Sequence, residues 1–293
     1  RYRRVQAGGG PRGLLLSARG RPGPPDQPVG PARRHAAGRR YHRPTMNALP
    51  TVTALAADLA AGRTTSLQLT EAALARAQDP AGEGARVFTR LDADRARAAA
   101  QASDTLRAAG IVRSPLEGLP ISVKDLFDVA GQVTTAGSAV LKDAAPAAHN
   151  APVIDRLIAA GTVIVGRTNM TEFAFSGLGL NPHYGTPKNP WDRATGRIPG
   201  GSSSGAAVSV SDGMAVVGIG SDTGGSVRIP SALCGLTGFK PTQRRVPNEG
   251  VLPLSTSLDS LGPLAASVRC CALVDAVLAG APAPSKADRP LRH

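Results

Sequence analysis

The residues best suited to chemistry are concentrated in residues 200–241, GGSSSGAAVSVSDGMAVVGIGSDTGGSVRIPSALCGLTGFKP. Two loops rich in Gly and Ser flank a predicted helix and strand in this segment. Glycine lets the backbone approach a ligand closely and adopt positive φ, so that several N–H groups can point at one spot. Because a flexible linker would not be interrupted by an apolar strand, the pattern favours an anion or oxyanion site over a linker.

Two familiar motifs can be read into this segment, and the surrounding sequence disfavours both. Residues 218–224 mimic a dinucleotide fingerprint, but Pro230 would interrupt the helix that should receive the pyrophosphate. Residues 201–205 match the G-x-S-x-G nucleophile elbow. That elbow needs a preceding strand, which residues 193–199 do not resemble, and a later histidine, for which the sequence offers only His293.

Lys124 is a candidate general base, because it directly follows the predicted strand Leu119–Val123 in GLPISVKD. It could accept a proton only as the neutral amine, so burial or a nearby cation would have to lower its pKa by several units. The alternative is a solvated lysine paired with Asp125. The residues alone favour that alternative, since lysine is almost never fully buried unless it is paired.

These groups need a scaffold, and the apolar pattern predicts alternating helices and buried strands. Helices are expected over 52–61, 66–77 (with Thr65 or Ser66 as N-cap), an Ala/Arg-rich stretch ending at Gly110, 152–160 and 271–278. Strands are expected over 119–123, 162–165 and 214–219, and a short apolar piece covers 87–91. Alternation of this kind predicts an α/β fold.

Three motifs together make the chain resemble the amidase signature family of serine amidohydrolases. The resemblance rests on GLPISVKD, then PGGSSSGAA, then GSDTGGSVRIPSALCGLTGFKPT, in that order, and extends from about Met46 to Leu278. It implies a mixed β-sheet flanked by helices (α/β/α), with a catalytic domain over 46–280. Family members extend well past residue 293, so the C-terminal part of the domain is expected to be missing.

The resemblance also implies a Ser–Ser–Lys triad. Ser226 would be the nucleophile, Ser202 the bridging serine in an unusual cis peptide, and Lys124 the terminal base. Asp222 and Arg228 would brace the loop. No metal or organic cofactor would be required. The oxyanion hole would consist of the backbone N–H groups of Thr223, Gly224, Gly225 and Ser226.

Two activities share this implied architecture. One is hydrolysis of a carboxylic amide to acid and ammonia through an acyl-enzyme; the other is the glutaminase-type A subunit of a tRNA-dependent amidotransferase. Ile229 stands where those subunits usually carry Gln, and QRRVPNEGVLPLSTSLD looks more like the stand-alone hydrolases. The hydrolase is therefore favoured. A third interpretation is an inactive truncated remnant.

The strongly basic charge belongs to one end of the chain. The net charge is +13, and residues 1–45 contribute +10 of it through eleven Arg and one acidic residue. With many Gly and Pro and no hydrophobic periodicity, residues 1–45 are expected to form a disordered basic leader. A targeting segment, a phosphate-binding arm and a start of translation at Met46 are the competing interpretations, and the last is favoured. Residues 281–293 are expected to be irregular.

The remaining features concern compartment and partners. Cys234, Cys270 and Cys271 show neither zinc-site spacing nor a plausible disulfide pattern, and no signal peptide or membrane-spanning run is present. A cytoplasmic enzyme with a small amide substrate is expected, with no membrane partner. Nucleic acid would be a partner only in the amidotransferase case. The sequence does not determine the oligomeric state and is compatible with a homodimer.

Overall fold

The computed structural model describes residues 49–283. The predictions for residues 1–45, and for residues 284–293 of the expected irregular tail, therefore lie outside the described part. Residues 281–283 follow the last helix and form no regular element, as expected. Among the described residues, no helix combines the length and apolarity needed to cross a membrane.

The described chain alternates helices and strands as the apolar pattern predicts. The helices are α1 (Val52–Ala60), α2 (Ser66–Gln78), α3 (Gly84–Val87), α4 (Ala93–Ala108), α5 (Pro152–Ala159), α6 (Ser204–Ser211), α7 (Arg228–Leu233) and α8 (Val268–Ala279), with a 3-10 turn at Glu172–Ala174. The strands are β1 (Phe88–Leu91), β2 (Pro120–Lys124), β3 (Val163–Thr168), β4 (Val217–Asp222), β5 (Thr237–Gly238) and β6 (Ser260–Ala265).

The six strands form one mixed sheet in the order β1-β3-β2-β4-β6-β5. The central strand β2 pairs in parallel with both β3 and β4, whereas β1 and β6 run antiparallel to their neighbours. One hydrophobic cluster packs α1, α5 and α8 against the sheet, and a second packs α2, α4 and α6. The predicted α/β class with a mixed sheet flanked by helices is confirmed.

Local sequence signals explain several helix ends. Thr65, one of the two predicted N-caps, accepts a hydrogen bond from the backbone N–H of Gln68, whose side chain in turn accepts from the Thr65 N–H, which completes a capping box. Ser267 also caps α8 through its side chain, and Gly280 ends that helix with a left-handed φ of 66°. These caps satisfy backbone groups that a helix end would otherwise leave unpaired.

The predicted bounds of one central strand are wrong. The apolar run 214–219 predicts a strand, but β4 covers Val217–Asp222. The N–H of Met214 instead donates to the carbonyl of Ser209 and completes the turn that ends α6. At its other end, the strand extends to Ser221 and Asp222, which are polar and buried. This shift places two polar side chains at the carboxyl end of β4.

Three parallel strands end at the same edge of the sheet. Lys124 pairs with Thr168 at the ends of β2 and β3, and Asp222 ends β4 on the other side of β2. Ligands of open α/β sheets bind outside the carboxyl ends of the strands. The fold therefore brings the predicted base and the second Gly/Ser loop to one edge.

Candidate active site

Lys124 is fully buried at the end of β2. Its Nζ donates to Ser202 Oγ at 2.7 Å and to Ser221 Oγ at 2.9 Å. The alternative expectation, a solvated lysine paired with Asp125, is wrong. Among the described residues, Lys124 forms no ion pair with a carboxylate. The amine therefore lies between two hydroxyl groups in the protein interior.

Burial is the main influence on the charge of this amine. It lowers the pKa of Lys124 from 10.5 to about 7, because the charged form loses its hydration. The carboxylates of Asp222 and Asp259 act in the opposite direction but do not offset the burial. A substantial fraction of the side chain is therefore neutral near pH 7 and able to accept a proton.

Asp125 has a different partner from the one expected. Its Oδ1 accepts from Arg167 Nε at 2.6 Å, and its Oδ2 accepts from the hydroxyl of Thr135. Both Asp125 and Arg167 are almost fully buried. This pair joins the residue after β2 to β3 and so holds the backbone beside Lys124. The Asp125 carboxylate pairs with Arg167 and not with the Lys124 amine.

Ser202 follows a cis peptide bond between Gly201 and Ser202, as the family resemblance implies. The Ser202 carbonyl accepts from the N–H of Thr171 at 3.1 Å, and the N–H of Gly201 donates to the Gly177 carbonyl at 2.8 Å. A Cβ at Gly201 would lie 2.6 Å from the N atom of Gly179, so only glycine fits there. These contacts fix the Ser202 hydroxyl beside Lys124.

The two serines after Ser202 are fully buried. Ser203 Oγ donates to the Ser221 carbonyl at 3.4 Å, and Ser204 Oγ donates to the Asn169 carbonyl at 3.4 Å. Residues 193–199 form no strand ahead of them. The nucleophile elbow therefore lacks the strand that it requires.

Ser226 lies in the loop after β4 and is 8% exposed. Its carbonyl accepts from the N–H of Ser203 at 3.2 Å, so the backbones of the two Gly/Ser loops are in direct contact. Within residues 49–283 the hydroxyl groups of Ser226 and Ser202 do not hydrogen-bond to each other. The structure thus joins Lys124 and Ser202 through side chains, and it brings Ser226 to them through the backbone.

Asp222 organises the loop that carries Ser226. It is fully buried, and its carboxylate accepts from the N–H groups of Gly225 at 2.7 Å and Val227 at 3.1 Å. Arg228 adds two hydrogen bonds from its guanidinium, both 2.9 Å long. Burial alone would raise the pKa of Asp222, but the hydrogen bonds from Arg228 and the backbone outweigh it and lower that pKa below its ordinary value. The carboxylate therefore stays ionised and holds the loop.

The four predicted oxyanion donors are not equivalent in this structure. The N–H of Gly225, a residue with φ of 136°, is already bound to Asp222. In the part of the chain that the structure describes, the N–H groups of Thr223, Gly224 and Ser226 donate no hydrogen bond. Three donors are thus available to a ligand at this loop.

The expectation that Pro230 would interrupt a helix after residues 218–224 is wrong. Pro230 does not prevent a helix, because α7 begins at Arg228 and places the proline in its first turn, where its missing N–H is not needed. With only six residues, α7 is nevertheless much shorter than the helix of a dinucleotide-binding unit.

Among the described residues, no group of three His, Cys, Asp or Glu side chains lies close enough together to hold a metal ion.

Two further residues of the site have no distinctive signal in the sequence. Ser221 is the second hydrogen-bond partner of Lys124. It lies beyond residue 219, where the predicted strand ends, so the sequence did not indicate it. Asp259 influences the charge of Lys124 and accepts a hydrogen bond from the hydroxyl of Thr223. It precedes β6 and is 36 positions from Thr223, and no local pattern indicates this contact.

Comparisons with known proteins show which proteins the chain is similar to. The family model described as Amidase matches residues 68–291. The chain is 47% identical over 232 residues to the A subunit of the glutamyl-tRNA(Gln) amidotransferase of Chloroflexus aggregans, covering 78% of this chain and 46% of the relative. It is 46% identical over 215 residues to AtzE, the 1-carboxybiuret hydrolase subunit of Pseudomonas sp. strain ADP, covering 73% of this chain and 46% of the relative.

Solved structures show the same similarity. The peptide amidase of Stenotrophomonas maltophilia superposes with a TM-score of 0.71 at 37% identity, covering 83% of this chain and 51% of that one. The chain spans about half the length of the curated relatives it matches. The family model nevertheless covers most of the chain, and the family predicted from the three motifs is confirmed: the chain belongs to the amidase family.

Proposed function

We propose that this protein hydrolyses a carboxylic amide to acid and ammonia, with Ser226 as nucleophile, Ser202 as bridging serine and Lys124 as base. The observation that carries the proposal is the buried Lys124 amine, whose pKa is about 7 and whose Nζ lies 2.7 Å from Ser202 Oγ. A serine hydroxyl is a weak nucleophile and needs such a base to take its proton. The relatives named as a peptide amidase and as part of a hydrolase support the same activity.

The proposed reaction has two balanced steps. Ser226 Oγ attacks the carbonyl carbon of the amide, and its proton passes through Ser202 Oγ to the neutral Nζ of Lys124. The C–N bond then breaks, the proton returns to the leaving nitrogen, and an acyl ester remains on Ser226. Water attacks this ester through the same relay, which releases the acid and restores all three side chains.

The negative charge of each tetrahedral intermediate needs donors, which we assign to the loop after β4. The N–H groups of Thr223, Gly224 and Ser226 are available for this role. The fourth predicted donor, Gly225, would first have to leave the carboxylate of Asp222. Loss of one oxyanion donor costs on the order of 10²–10³ in rate in other enzymes. Asp222 and Arg228 act here as positioning residues.

A groove beside the triad supports an apolar acyl group in the substrate. Thr171, whose N–H donates to the Ser202 carbonyl, also lines an open groove of about 530 Å³. Phe173, Phe175 and Leu254 form part of its apolar lining, and Glu172 adds one carboxylate. Phe175 is 80% exposed. A substrate that covered this ring would remove apolar surface from water, which is favourable.

The second candidate function is the glutaminase component of an amidotransferase. The observation that favours it is the 47% identity to a protein with that name. The two functions differ in substrate, because the glutaminase requires the charged α-amino acid group of glutamine. Under our proposal, an alkyl or aryl amide is hydrolysed by this chain and glutamine is a poor substrate. The opposite preference would favour the amidotransferase component, and turnover of neither would favour the inactive remnant.

Labelling with a fluorophosphonate probe tests the nucleophile, and peptide mass analysis locates the label. We expect label on Ser226, none in Ser226→Ala, and unchanged label in Ser257→Ala, a matched control at an exposed serine. Label on Ser203 would contradict the triad and revive the nucleophile elbow. Absence of label from a folded chain would show that the site is not assembled.

Residues 46–280 are the proposed catalytic domain, and we place it in the cytoplasm. Cys234, Cys270 and Cys271 are buried free thiols, which suit a reducing compartment. The partner that the reaction requires is a small amide. Aminoacyl-tRNA would become relevant only under the second candidate function.

A further inference from the structure

Asp259 lies where the loop of the proposed oxyanion donors, residues 223–226, meets one wall of the apolar groove. The antiparallel pair of β4 and β6 ends with Asp222 opposite Ser260. Thr223 and Asp259, the residues just beyond this pair, are therefore neighbours, and the Thr223 hydroxyl donates a hydrogen bond to Asp259 Oδ1. Asp259 is 6% exposed, so a buried carboxylate fixes the first side chain of this oxyanion loop.

The other oxygen of the same carboxylate holds the groove wall. Asp259 Oδ2 accepts from the N–H groups of Leu254 at 2.9 Å and Ser255 at 3.0 Å. Leu254 lines the groove of about 530 Å³ to which the proposed function assigns the acyl group. The two oxygens of Asp259 thus connect the oxyanion loop, through Thr223, to the wall of the groove.

Thr223 bears on the reaction through its backbone. In the described part of the chain its N–H donates no hydrogen bond, so this group is available to an oxyanion. Such a donor is effective because it is held in place before the charge develops, and no reorganisation is needed during the reaction. The Thr223 hydroxyl is attached to Cβ, next to the backbone, so its hydrogen bond to Asp259 restricts how the N–H can turn.

A purely structural role would not require a charge at position 259. The side-chain oxygen of an asparagine could also accept from the Leu254 and Ser255 N–H groups. The carboxylate even opposes the proposed base, because its negative charge raises the pKa of Lys124. What the charge adds is a firmer hold on the Thr223 hydroxyl, since hydrogen bonds to an ionised acceptor are roughly twice as strong as neutral ones.

We propose that Asp259 is a positioning residue for the reaction, which aligns the Thr223 N–H with an acyl group lying against Leu254. The inference rests on the proposed function, because without a reaction at Ser226 there is no oxyanion to stabilise. It deepens that function by joining the groove that takes the acyl group to the loop that stabilises its oxyanion.

Steady-state hydrolysis of 3-phenylpropionamide by the full chain, followed by ammonia release, tests the proposal. Thr223→Val gives a side chain of nearly the same shape and removes only the hydroxyl. Since loss of a whole oxyanion donor costs on the order of 10²–10³ in rate, misalignment of this one should lower kcat by about 10- to 100-fold. KM should change much less, because the donor acts on the transition state. Thr223→Ser restores the hydroxyl and should recover most of the loss.

A double-mutant cycle assigns the loss to Asp259. Asp259→Ala should lower kcat by a similar factor, and Thr223→Val should lower it no further in that background, because the hydroxyl acts through the carboxylate. Asp104→Ala is the matched control, since the Asp104 carboxylate also accepts from two backbone N–H groups, those of Ser66 and Leu67 at the start of α2. The control should leave kcat unchanged.

Hydrogen exchange measures the connection without any reaction. Both the Leu254 and the Ser255 amide donate to Asp259 Oδ2 and should be protected in the wild type. In Thr223→Val the carboxylate loses its hold on the oxyanion loop, so we expect both amides to exchange faster. If Asp259→Ala does not fold, Thr223→Val and Thr223→Ser still test the proposal through kcat and exchange.

Several results would overturn the proposal. An unchanged kcat in Thr223→Val, additive losses in the double variant, or a change in KM alone would show that Asp259 does not align the donor. Unchanged exchange at Leu254 and Ser255 in Thr223→Val would refute the connection itself, whether or not the chain is active. A wild type without hydrolysis, or hydrolysis that survives Ser226→Ala, would instead refute the proposed function and, with it, the role of Asp259 in the reaction.

Discussion

Replacing Lys124 by methionine should reveal how much the buried amine changes stability with pH. Methionine keeps an unbranched side chain of similar length and removes the charge. The pKa of Lys124 falls from the ordinary lysine value of 10.5 to about 7 in the fold. Because the folded pKa is lowered, the unfolded chain binds more protons between these two values, and the wild-type chain gains stability as pH rises through this range.

The size of the effect follows from the two pKa values. Each unit of pKa difference corresponds to about 1.4 kcal/mol. The free energy of unfolding of the wild type, minus that of Lys124→Met, should be nearly constant below about pH 6. It should increase by about 2 kcal/mol from pH 7 to pH 9 and level off above about pH 10.5. Groups that titrate in both proteins cancel in this difference.

Urea unfolding of both proteins at intervals from pH 5 to pH 10 measures the difference directly. Lys142→Met, which removes an exposed lysine, is the matched control. A difference that stays flat between pH 7 and pH 9 would refute the reasoning, because it would mean that Lys124 is charged in the folded protein at neutral pH. A difference that falls with pH would refute it more strongly, since the sign would be reversed.

Three further outcomes follow from the same contacts. The kcat/KM of amide hydrolysis should rise through about pH 7 as Lys124 loses its proton and level off above it; a pH–rate profile that falls between pH 6 and pH 8 would contradict a lysine base. Ser221→Ala should move the midpoint of that profile to lower pH, because the charged amine loses one of its two acceptors; an upward shift would argue against this contact. Asp125→Asn should lower the free energy of unfolding by about 3–5 kcal/mol in urea titrations, since it leaves the charge of Arg167 buried without its counter-charge; a loss below about 1 kcal/mol would contradict the importance of the pair.

The sequence predicts the helices and strands whose ends and apolar spacing are set by neighbouring residues. The capping residue Thr65 and the apolar spacing after it define α2 within one residue of the expected end. The strand β6 has no such signal, because SLGPLA contains a glycine and a proline, which strands rarely tolerate. Gly262 is nevertheless required there, since a Cβ would lie 2.0 Å from the Phe239 carbonyl oxygen. That contact is set by tertiary packing, so the residues next to Gly262 in the sequence do not indicate it.

The site shows the same division between local and distant information. The motifs predict Lys124, Ser202 and Ser226 because each lies in a distinctive run of residues. The partner of Asp125 could not be predicted in this way, since Arg167 is 42 positions away and only strand pairing brings it close. An adjacent residue is a natural first guess for an ion pair. In a strand, however, successive side chains point to opposite faces, which makes neighbours poor partners.

The buried lysine explains why the rest of the site is so heavily braced. Holding the amine neutral at pH 7 destabilises the fold, because the unfolded chain keeps the hydrated charge. Hydrogen bonds to Ser202 and Ser221 offset part of this, at about 1 kcal/mol each. Packing and the Asp222–Arg228 and Asp125–Arg167 pairs hold the segments on either side of the amine. Under our proposal that Lys124 is the base, the burial that makes it one is also what makes the bracing necessary.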